Sequence, residues 1–242
     1  MSYRLRILSK QESGKDLIHL TCAADGAVLE SFHTPGQFLV VSVPGDGSGE
    51  AKKGFFAIAS RPGAEHIELL IKRQGAPATA LCDAPVDSEF ECSEAQGGGF
   101  AAPTGRIDHI HLFAMGSGLA PLRSYILTSL AAEESASAPK KNRGATPPPM
   151  SKLTLWQGSF AKANLPFRDE YEAWEAAGLE IILCLDQDSE EIPGNVSERL
   201  RELSPDLRGS AAYWIGSKEF GQALKEATAR CGLPPEALFT NF

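Results

Sequence analysis

A glycine-rich stretch in the second half of the chain has the composition of a phosphate-binding loop. The segment His109–Arg123 reads HIHLFAMGSGLAPLR, so an apolar run leads directly into Gly116, Ser117 and Gly118. Glycines at such a turn permit unusual backbone angles and let a phosphate approach bare N–H groups at a helix N-terminus. Pro121 suits the first helical turn, where its missing N–H costs nothing. We therefore expect a strand, a phosphate-binding turn and a helix here.

The spacing of these glycines excludes two other known motifs. The dinucleotide fingerprint G-x-G-x-x-G needs a third glycine where Pro121 stands, and no acidic residue lies at a suitable distance on the next strand. A hydrolase nucleophile elbow centred on Ser117 needs glycines at the positions of Met115 and Leu119. A tight turn that binds nothing remains the alternative, because short glycine patterns recur by chance.

The histidines and cysteines do not form a metal-binding pattern. His109 and His111 are two apart on a predicted strand and so face the same side, but no cysteine or carboxylate supports them at ligand-like spacing. A structural role is therefore the favoured interpretation for both. The odd number of cysteines, without a C-x-x-C pair, indicates reduced and mostly buried thiols at Cys22, Cys82, Cys92, Cys184 and Cys231.

Charge and hydropathy exclude two classes of partner. The formal net charge is -8 over 242 residues, whereas proteins that bind nucleic acid cluster Lys and Arg, so nucleic acid is not an expected partner. No apolar run approaches the roughly 20 residues that span a bilayer, and no apolar signal core follows Met1. We expect no membrane insertion and a cytoplasmic location, or the chloroplast stroma if this is the mature form of an organellar protein.

One local group of cations contrasts with the acidic composition. It could receive an acidic protein electron carrier, and it consists of Lys52, Lys53, Arg61, Lys72 and Arg73. Solvated cations at strand ends are the commoner arrangement and the favoured interpretation.

The sequence of the first hundred residues predicts β-strands. Short β-branched or aromatic runs alternate with Gly, Pro, Asp and Ser clusters, and roughly six runs at this spacing indicate a small closed barrel. The runs are Arg4–Leu8, Leu17–Cys22, Gln37–Val43, Phe55–Ala59, Ile67–Lys72 and Ser88–Cys92. No helix of ordinary length is evident, so we expect an N-terminal six-stranded antiparallel β-barrel in an all-β half.

After Pro103 strands alternate with helices, which predicts a parallel sheet. The predicted strands are His109–Met115, Lys152–Gln157, Glu180–Asp186, Ala211–Ile215 and Leu238–Phe242. The predicted helices are Pro121–Glu133, Arg168–Ala177, Val196–Leu203 and Glu219–Cys231. The sequence thus predicts a two-domain β + α/β protein, with a barrel over 1–103 and a C-terminal parallel-sheet nucleotide-binding domain over 104–242.

Segment 133–150 has almost no large apolar side chains, so we expect a flexible surface insertion.

Several segments, in this order, resemble the ferredoxin-NADP reductase superfamily, which joins a six-stranded flavin-binding barrel to a pyridine-nucleotide domain. The family's motif G-[TS]-G-x-x-P-x-R after a strand is matched by Gly116, Ser117, Gly118, Pro121 and Arg123. Similar segments elsewhere are PGQF at 35–38, IAS at 58–60, LWQGSFAKANLPFRDEYEAW at 155–174, YWIGSKEF at 213–220 and the aromatic terminus. Divergent reductase-like members of plants and algae are the branch that the chain resembles most.

The resemblance implies an FAD site in the barrel and a pyridine-nucleotide site in the second domain. The implied flavin contacts are Lys53, Phe56, Ala57, Ile58, Gly75, Thr79 and Phe242. Gly75 and Thr79 belong to a G-x-x-[ST] phosphate clamp. The implied NAD(P)H contacts are Gly116, Ser117, Gly118, Pro121 and Gly216. The resemblance implies no particular catalytic residue, and we expect no metal.

The flavin motif departs from the family pattern. R-x-Y-[ST] aligns with residues 54–57, so Gly54 stands where an arginine binds the flavin pyrophosphate, and Lys53 could substitute only as a point charge. Phe56 can stack on the isoalloxazine but lacks the phenol hydroxyl. Ala57 lacks the hydroxyl expected near the flavin N5.

The nucleotide motifs depart as well. The late C-G-P motif reads Ile215–Ser217, so Gly216 remains while the thiol and the proline are absent. The arginine for an NADP 2′-phosphate would align near Phe160, with Lys162 the nearest cation, so a preference for NADP is not implied.

Two functions follow from the sequence. The first is an oxidoreductase that transfers electrons between NAD(P)H and an acceptor through FAD at the domain interface. The acceptor could be a protein carrier or a larger complex. The alternative is a non-catalytic, flavin-poor protein of the same fold that acts as a binding or structural subunit of a larger assembly, or as a nucleotide-binding module without flavin.

Overall fold

The computed structural model describes residues 2–44, 51–104, 107–136, 150–186 and 195–241. Its strands form an antiparallel sheet followed along the chain by a parallel sheet, as the sequence predicts. The predicted domain limit at residues 103 and 104 stays a prediction. It falls between the last strand of the first sheet and the first strand of the second.

Alternating apolar and polar residues build the first sheet, because successive side chains along a strand point to opposite faces. In Phe38–Val43, Leu39, Val41 and Val43 are buried, while the residues between them are partly exposed. The sheet has the order β4-β3-β6-β1-β2-β5. Its strands are β1 (Tyr3–Glu12), β2 (Leu17–Ala24), β3 (Phe38–Val43), β4 (Lys52–Ala57), β5 (Ile67–Lys72) and β6 (Glu89–Cys92).

This sheet is barrel-like but not closed. Within the described residues its outermost strands, β4 and β5, meet only at the isolated bridge between Ile58 and Leu69. The expectation of a fully closed barrel is therefore wrong. Beyond this bridge, the described parts of β4 and β5 form no ladder with each other.

Two helices interrupt the first half, which is therefore not purely β. They are α1 (Gly26–Ser31) and α2 (Ala76–Asp83). Helix α2 begins directly after β5 and buries Ala78, Leu81 and Cys82 against the sheet. It thus covers one end of the barrel core.

Buried apolar runs build the second sheet, since helices cover both faces of a parallel sheet. Its strands are β7 (His109–Met115), β8 (Leu153–Ser159), β9 (Glu180–Leu185), β10 (Ser210–Ile215) and β11 (Leu238–Phe239), in the order β11-β10-β7-β8-β9. All seven residues of β8 are buried. The helices are α3 (Leu119–Ala136), α4 (Tyr171–Ala176), α5 (Val196–Leu203) and α6 (Lys218–Arg230).

Most of the predicted insertion, residues 137–149, lies outside the described residues. Its two flanks are joined, because the Met150 N–H donates to Glu133 Oε1 at 2.6 Å. Helix α3 continues three residues beyond its predicted end at Glu133. Among the helices that the structure describes, none is long and apolar enough to cross a membrane.

Candidate functional site

A cleft of about 630 Å³ opens between the two sheets. Its size lies in the range of small-molecule and cofactor sites. One wall comes from β4 and β5, and the other from the turns that follow β7 and β10. The wall residues include Phe56, Ala57, Leu70 and Lys72 on the barrel side, and Ser117, Gly118, Pro121, Gly216 and Ser217 on the other.

The position of the cleft follows from the order of the parallel strands. From β7 the chain first crosses to β8 and β9 on one side, and then returns to β10 on the other side. The crevice between β7 and β10 is therefore the topological switch point. Ligands of open α/β sheets bind outside the carboxyl ends of the strands at this point.

The glycines of the loop have different structural roles. Gly116 has a φ of +52°, and a Cβ there would meet no atom within 4 Å, so its backbone faces open space. Gly118 instead packs against β10, since a Cβ would lie 2.5 Å from the Ile215 carbonyl oxygen. Ser117 and Pro121 line the cleft beside them. The loop thus presents bare backbone at Gly116 and needs Gly118 for close packing.

Strand β4 fills the place of the missing arginine with an aromatic ring. A Cβ on Gly54 would lie 2.6 Å from Cε2 of Phe56 and 2.9 Å from Cβ of Pro77. The Phe56 ring therefore covers Gly54 and reaches α2. Lys53 is not among the residues that line the cleft, although Phe55 and Ala57, which share its face of the strand, do line it. The structure does not bring Lys53 to the position of the arginine.

The two residues after Phe56 point in different directions. Ala57 lines the cleft, whereas the Ile58 side chain is fully buried in the barrel core. The Ile58 N–H donates to the Gln37 carbonyl oxygen at 3.0 Å, so it is already engaged. Of these two predicted contacts, only Ala57 faces the site.

The predicted phosphate clamp lies at the start of α2. Gly75 has a φ of +80°, and a Cβ there would meet nothing within 4 Å. The Thr79 N–H donates to the Gly75 carbonyl oxygen at 3.0 Å, so these two residues define the first turn of the helix. Ala78 and Gln74 line the cleft at this end. The helix N-terminus thus offers a positive dipole end to an anion in the cleft.

The turn after β10 brings Gly216 and Ser217 to the cleft. A Cβ on Gly216 would lie 2.4 Å from Cδ1 of Phe220, so glycine is needed for packing. The Ser217 hydroxyl accepts a hydrogen bond from the Phe220 N–H at 3.2 Å and caps α6. Ser217 therefore caps the helix at the position of the family's proline, while Ile215 stands where the family's thiol would be.

Phe242, the remaining predicted flavin contact, lies outside the described residues. Its neighbour Asn241 reaches the barrel, because its Nδ2 donates to the Gly36 carbonyl oxygen at 2.8 Å. Gly36 precedes β3, whose residue Phe38 pairs with Ala57. The end of the chain is thus anchored near the cleft.

Arg123, the last residue of the loop motif, does not face the cleft. It is 6% exposed and forms ion pairs with Glu68 at 2.6 Å and Glu170 at 2.8 Å. The sequence motif identifies the arginine, but the sequence gives no signal for its partners. Sequence reasoning also missed Leu70 and Gln74, which line the cleft beside the predicted residues.

The two histidines of β7 have structural partners. His109 Nε2 lies 2.7 Å from Thr154 Oγ1, and the Trp156 indole N–H donates to His111 Nδ1 at 3.2 Å. Burial lowers the pKa of His111 to about 3, with a further contribution from His109. Among the described residues no group of histidines, cysteines and carboxylates could hold a metal ion.

The cysteines and the basic group also have ordinary environments. All five thiols are free, and burial raises the pKa of Cys22 to about 12. In the basic group Arg73 pairs with Asp83, and Lys72 is the only member of the group that lines the cleft.

The residues around the cleft fit a flavin in most respects. Phe56 supplies an aromatic face, Ala57 and Leu70 line the same wall, and the N-terminus of α2 lies beside the lining residues Gln74 and Ala78. Gly54 supplies no guanidinium, and the Phe56 ring occupies the adjacent space. A flavin held here would depend on stacking and backbone donors.

No model of a known protein family matches the sequence, and no curated protein matches it either. Solved structures do match. The FAD/NAD-binding domain of nitric oxide dioxygenase from Vibrio cholerae gives a TM-score of 0.81 at 16% identity, over 98% of this chain and 97% of that one. A ferredoxin-NADP+ reductase from Neisseria gonorrhoeae with bound FAD and NADP gives 0.77 at 14% identity, over 98% and 96%.

Phthalate dioxygenase reductase, described as transferring electrons from pyridine nucleotides to [2Fe-2S], gives a TM-score of 0.70 at 15% identity, over 99% of this chain and 67% of that one. All three matches extend over 98% or more of this chain. At these identities the comparison establishes architecture. The chain has the same two-domain fold as these FAD/NAD-binding and reductase proteins.

Proposed function

We propose that this protein is an FAD-dependent oxidoreductase that accepts hydride from NADH or NADPH and passes electrons to an acceptor. The observation that carries the proposal is the cleft at the switch point. Phe56 and its neighbours on β4 and β5 line one wall, and Ser117, Gly118 and Pro121 line the other. The first wall would hold a flavin, and the second would hold a pyridine nucleotide.

When bound, FAD would accept a hydride from the reduced nicotinamide and release the two electrons to the acceptor. The chain's own contribution is binding and orientation. The Phe56 ring provides a flat surface for stacking, and backbone groups of β4 beside it can hydrogen-bond the rim of a flavin ring. Ala57 adds no hydroxyl at this point, so orientation depends on the backbone.

Phosphate groups have two places to bind. The N-terminus of α2 at Gly75 is on the flavin side, and the Gly116–Gly118 turn at the N-terminus of α3 is on the nucleotide side. Both have open space above a glycine with positive φ at Gly75 and Gly116, so backbone N–H groups can approach an anion closely. Lys72 adds a positive charge between them.

The electron acceptor is proposed to be a protein carrier or a larger assembly. The similarity of fold to phthalate dioxygenase reductase supports a one-electron protein acceptor. The alternative function, a binding or structural subunit without flavin, rests on the absence of a guanidinium at Gly54. It predicts that the protein binds no FAD at all.

The proposal is tested by loading the protein with FAD, mixing it with NADH or NADPH without oxygen, and following the bleaching of the flavin absorbance. Ser117→Asp places a negative charge in the cleft where the nucleotide phosphates would bind, so we expect bleaching at low nucleotide concentration to slow by about tenfold or more. Ser117→Asn, which has the same shape without the charge, is the control and should retain most of the rate. Equal rates for the two variants would contradict the nucleotide site.

A further inference from the structure

Arg123 connects the two sheets beneath the cleft. Its Nη1 lies 2.6 Å from Glu68 Oε2 on β5 and donates to the Ala59 carbonyl oxygen at 2.9 Å. Its Nε donates to both carboxylate oxygens of Glu170, at 3.0 and 2.9 Å. Ala59 and Glu68 belong to the barrel half, whereas Arg123 and Glu170 belong to the α/β half. One buried side chain thus joins both halves.

The surroundings of Arg123 hold the guanidinium in one orientation. Glu68 also lies 2.9 Å from His19 Nε2. The Arg123 guanidinium carbon lies 4.5 Å from the centre of the Phe167 ring, which is in cation–π range. A planar guanidinium can satisfy two carboxylates and a carbonyl together, whereas an ammonium group cannot reproduce this fork.

The residues that make these contacts are close in sequence to residues that line the cleft. Ala59 follows the wall residue Ala57 by two positions, and Glu68 precedes the wall residue Leu70 by two positions. Arg123 follows Pro121, on the opposite wall, also by two positions. Glu68 lies on β5, Ala59 lies two residues beyond the end of β4, and Arg123 lies near the start of α3, so the ion-pair network joins backbone close to both walls.

We propose that Arg123 is a positioning residue that fixes the distance between the flavin-binding wall and the nucleotide-binding wall. This inference rests on the proposed function for its effect on the reaction. Arg123 itself touches neither wall of the cleft, so it acts through Ala59, Glu68 and the first turn of α3. Electron transfer from a nicotinamide to a flavin depends on close and correct stacking, and small misplacements are costly.

The test compares Arg123→Lys with Arg208→Lys. Arg208 also makes a bidentate pair, with Asp206 at 2.8 and 2.6 Å, but on the exposed surface. Three quantities are measured for each variant: FAD affinity by fluorescence quenching, the rate of flavin bleaching by NADH, and the long-wavelength charge-transfer absorbance of stacked nicotinamide and flavin. A fourth, hydrogen exchange of the Ala59 and Glu68 amides, needs no flavin.

For Arg123→Lys we expect FAD affinity within about threefold of the wild type, bleaching slowed by about tenfold or more, and a weaker charge-transfer absorbance. Exchange at Ala59 and Glu68 should be faster. Arg208→Lys should match the wild type in all four. The inference would be overturned if the bleaching rate and the amide exchange of Arg123→Lys both equalled those of the wild type. It would also be overturned if weaker FAD binding accounted for the whole decrease in the bleaching rate.

The outcomes separate this inference from the proposed function. A wild-type protein that binds no FAD would overturn the proposed function. The connection of the two walls through Arg123 would then be decided by hydrogen exchange alone. Faster exchange at Ala59 and Glu68 in Arg123→Lys would support it, and exchange equal to that of Arg208→Lys would overturn it.

Discussion

Gly54 and Phe56 lie on the same face of β4 and depend on each other. The Phe56 ring covers Gly54, so any side chain at position 54 must displace it. The stacking ring and a pyrophosphate arginine therefore compete for one space in this chain. Lys53 lies on the opposite face of β4 from Gly54, so its side chain does not start from the position of the arginine.

Restoring the arginine alone should therefore fail. We expect Gly54→Arg to lower the free energy of unfolding by about 1–3 kcal/mol, because the new side chain collides with Phe56 and Pro77. It should also not tighten FAD binding. Lys53→Arg, one residue away on the exposed face, is the control and should leave stability unchanged. Thermal unfolding and FAD titration measure both effects, and tighter binding without a loss of stability would contradict this description of β4.

At the level of elements, long apolar strands and long amphipathic helices are predictable from the sequence, whereas short helices are not. The runs that became β7 and β10 are continuous apolar segments, α6 is amphipathic, and the limits of all three agree with the sequence to within a few residues. The sequence does not predict α1 and α2, which span only 6 and 8 residues and have no helical periodicity. Gly75 and Thr79 mark the clamp by motif, but only the structure identifies it as the start of a helix.

Burial of His111 on β7, beside Trp156 of β8, makes the free energy of unfolding depend on pH. Burial lowers the folded-state pKa of His111 to about 3 from an ordinary 6.5, so the unfolded chain binds a proton there first as the pH falls. His111 thus contributes stability that is complete above pH 6.5 and is lost toward pH 3, by about 1.4 kcal/mol per pH unit.

We expect His111→Phe to flatten the dependence of unfolding free energy on pH within this window. The variant also removes the acceptor of the Trp156 indole, so its stability at neutral pH should be lower. The slope is therefore the informative quantity, and urea unfolding at several pH values measures it. His109, whose pKa burial also lowers, remains in the variant and keeps part of the slope. If the unfolding free energy of the variant depended on pH as steeply as that of the wild type, the assignment of His111 as a buried neutral side chain would be contradicted.

At the level of the whole molecule, the sequence predicts which segments form the site but not how they meet. The order of barrel, glycine loop and late strand places Phe56, Gly116 and Gly216 in a fold whose switch point brings them together. The contacts of Arg123 with Ala59, Glu68 and Glu170 have no local pattern, because each partner lies far away in the chain. The unclosed side of the barrel likewise depends on pairing between distant strands.

The central claim is that the cleft between the two walls holds a flavin through stacking and backbone donors without an arginine. Its most direct test is a titration of the purified protein with FAD, following the quenching of flavin fluorescence and the melting temperature together. We predict saturable quenching and a melting temperature that rises as FAD is added, since a ligand that binds the folded state stabilises it. Flavin fluorescence and a melting temperature that both stay constant across the titration would contradict the claim.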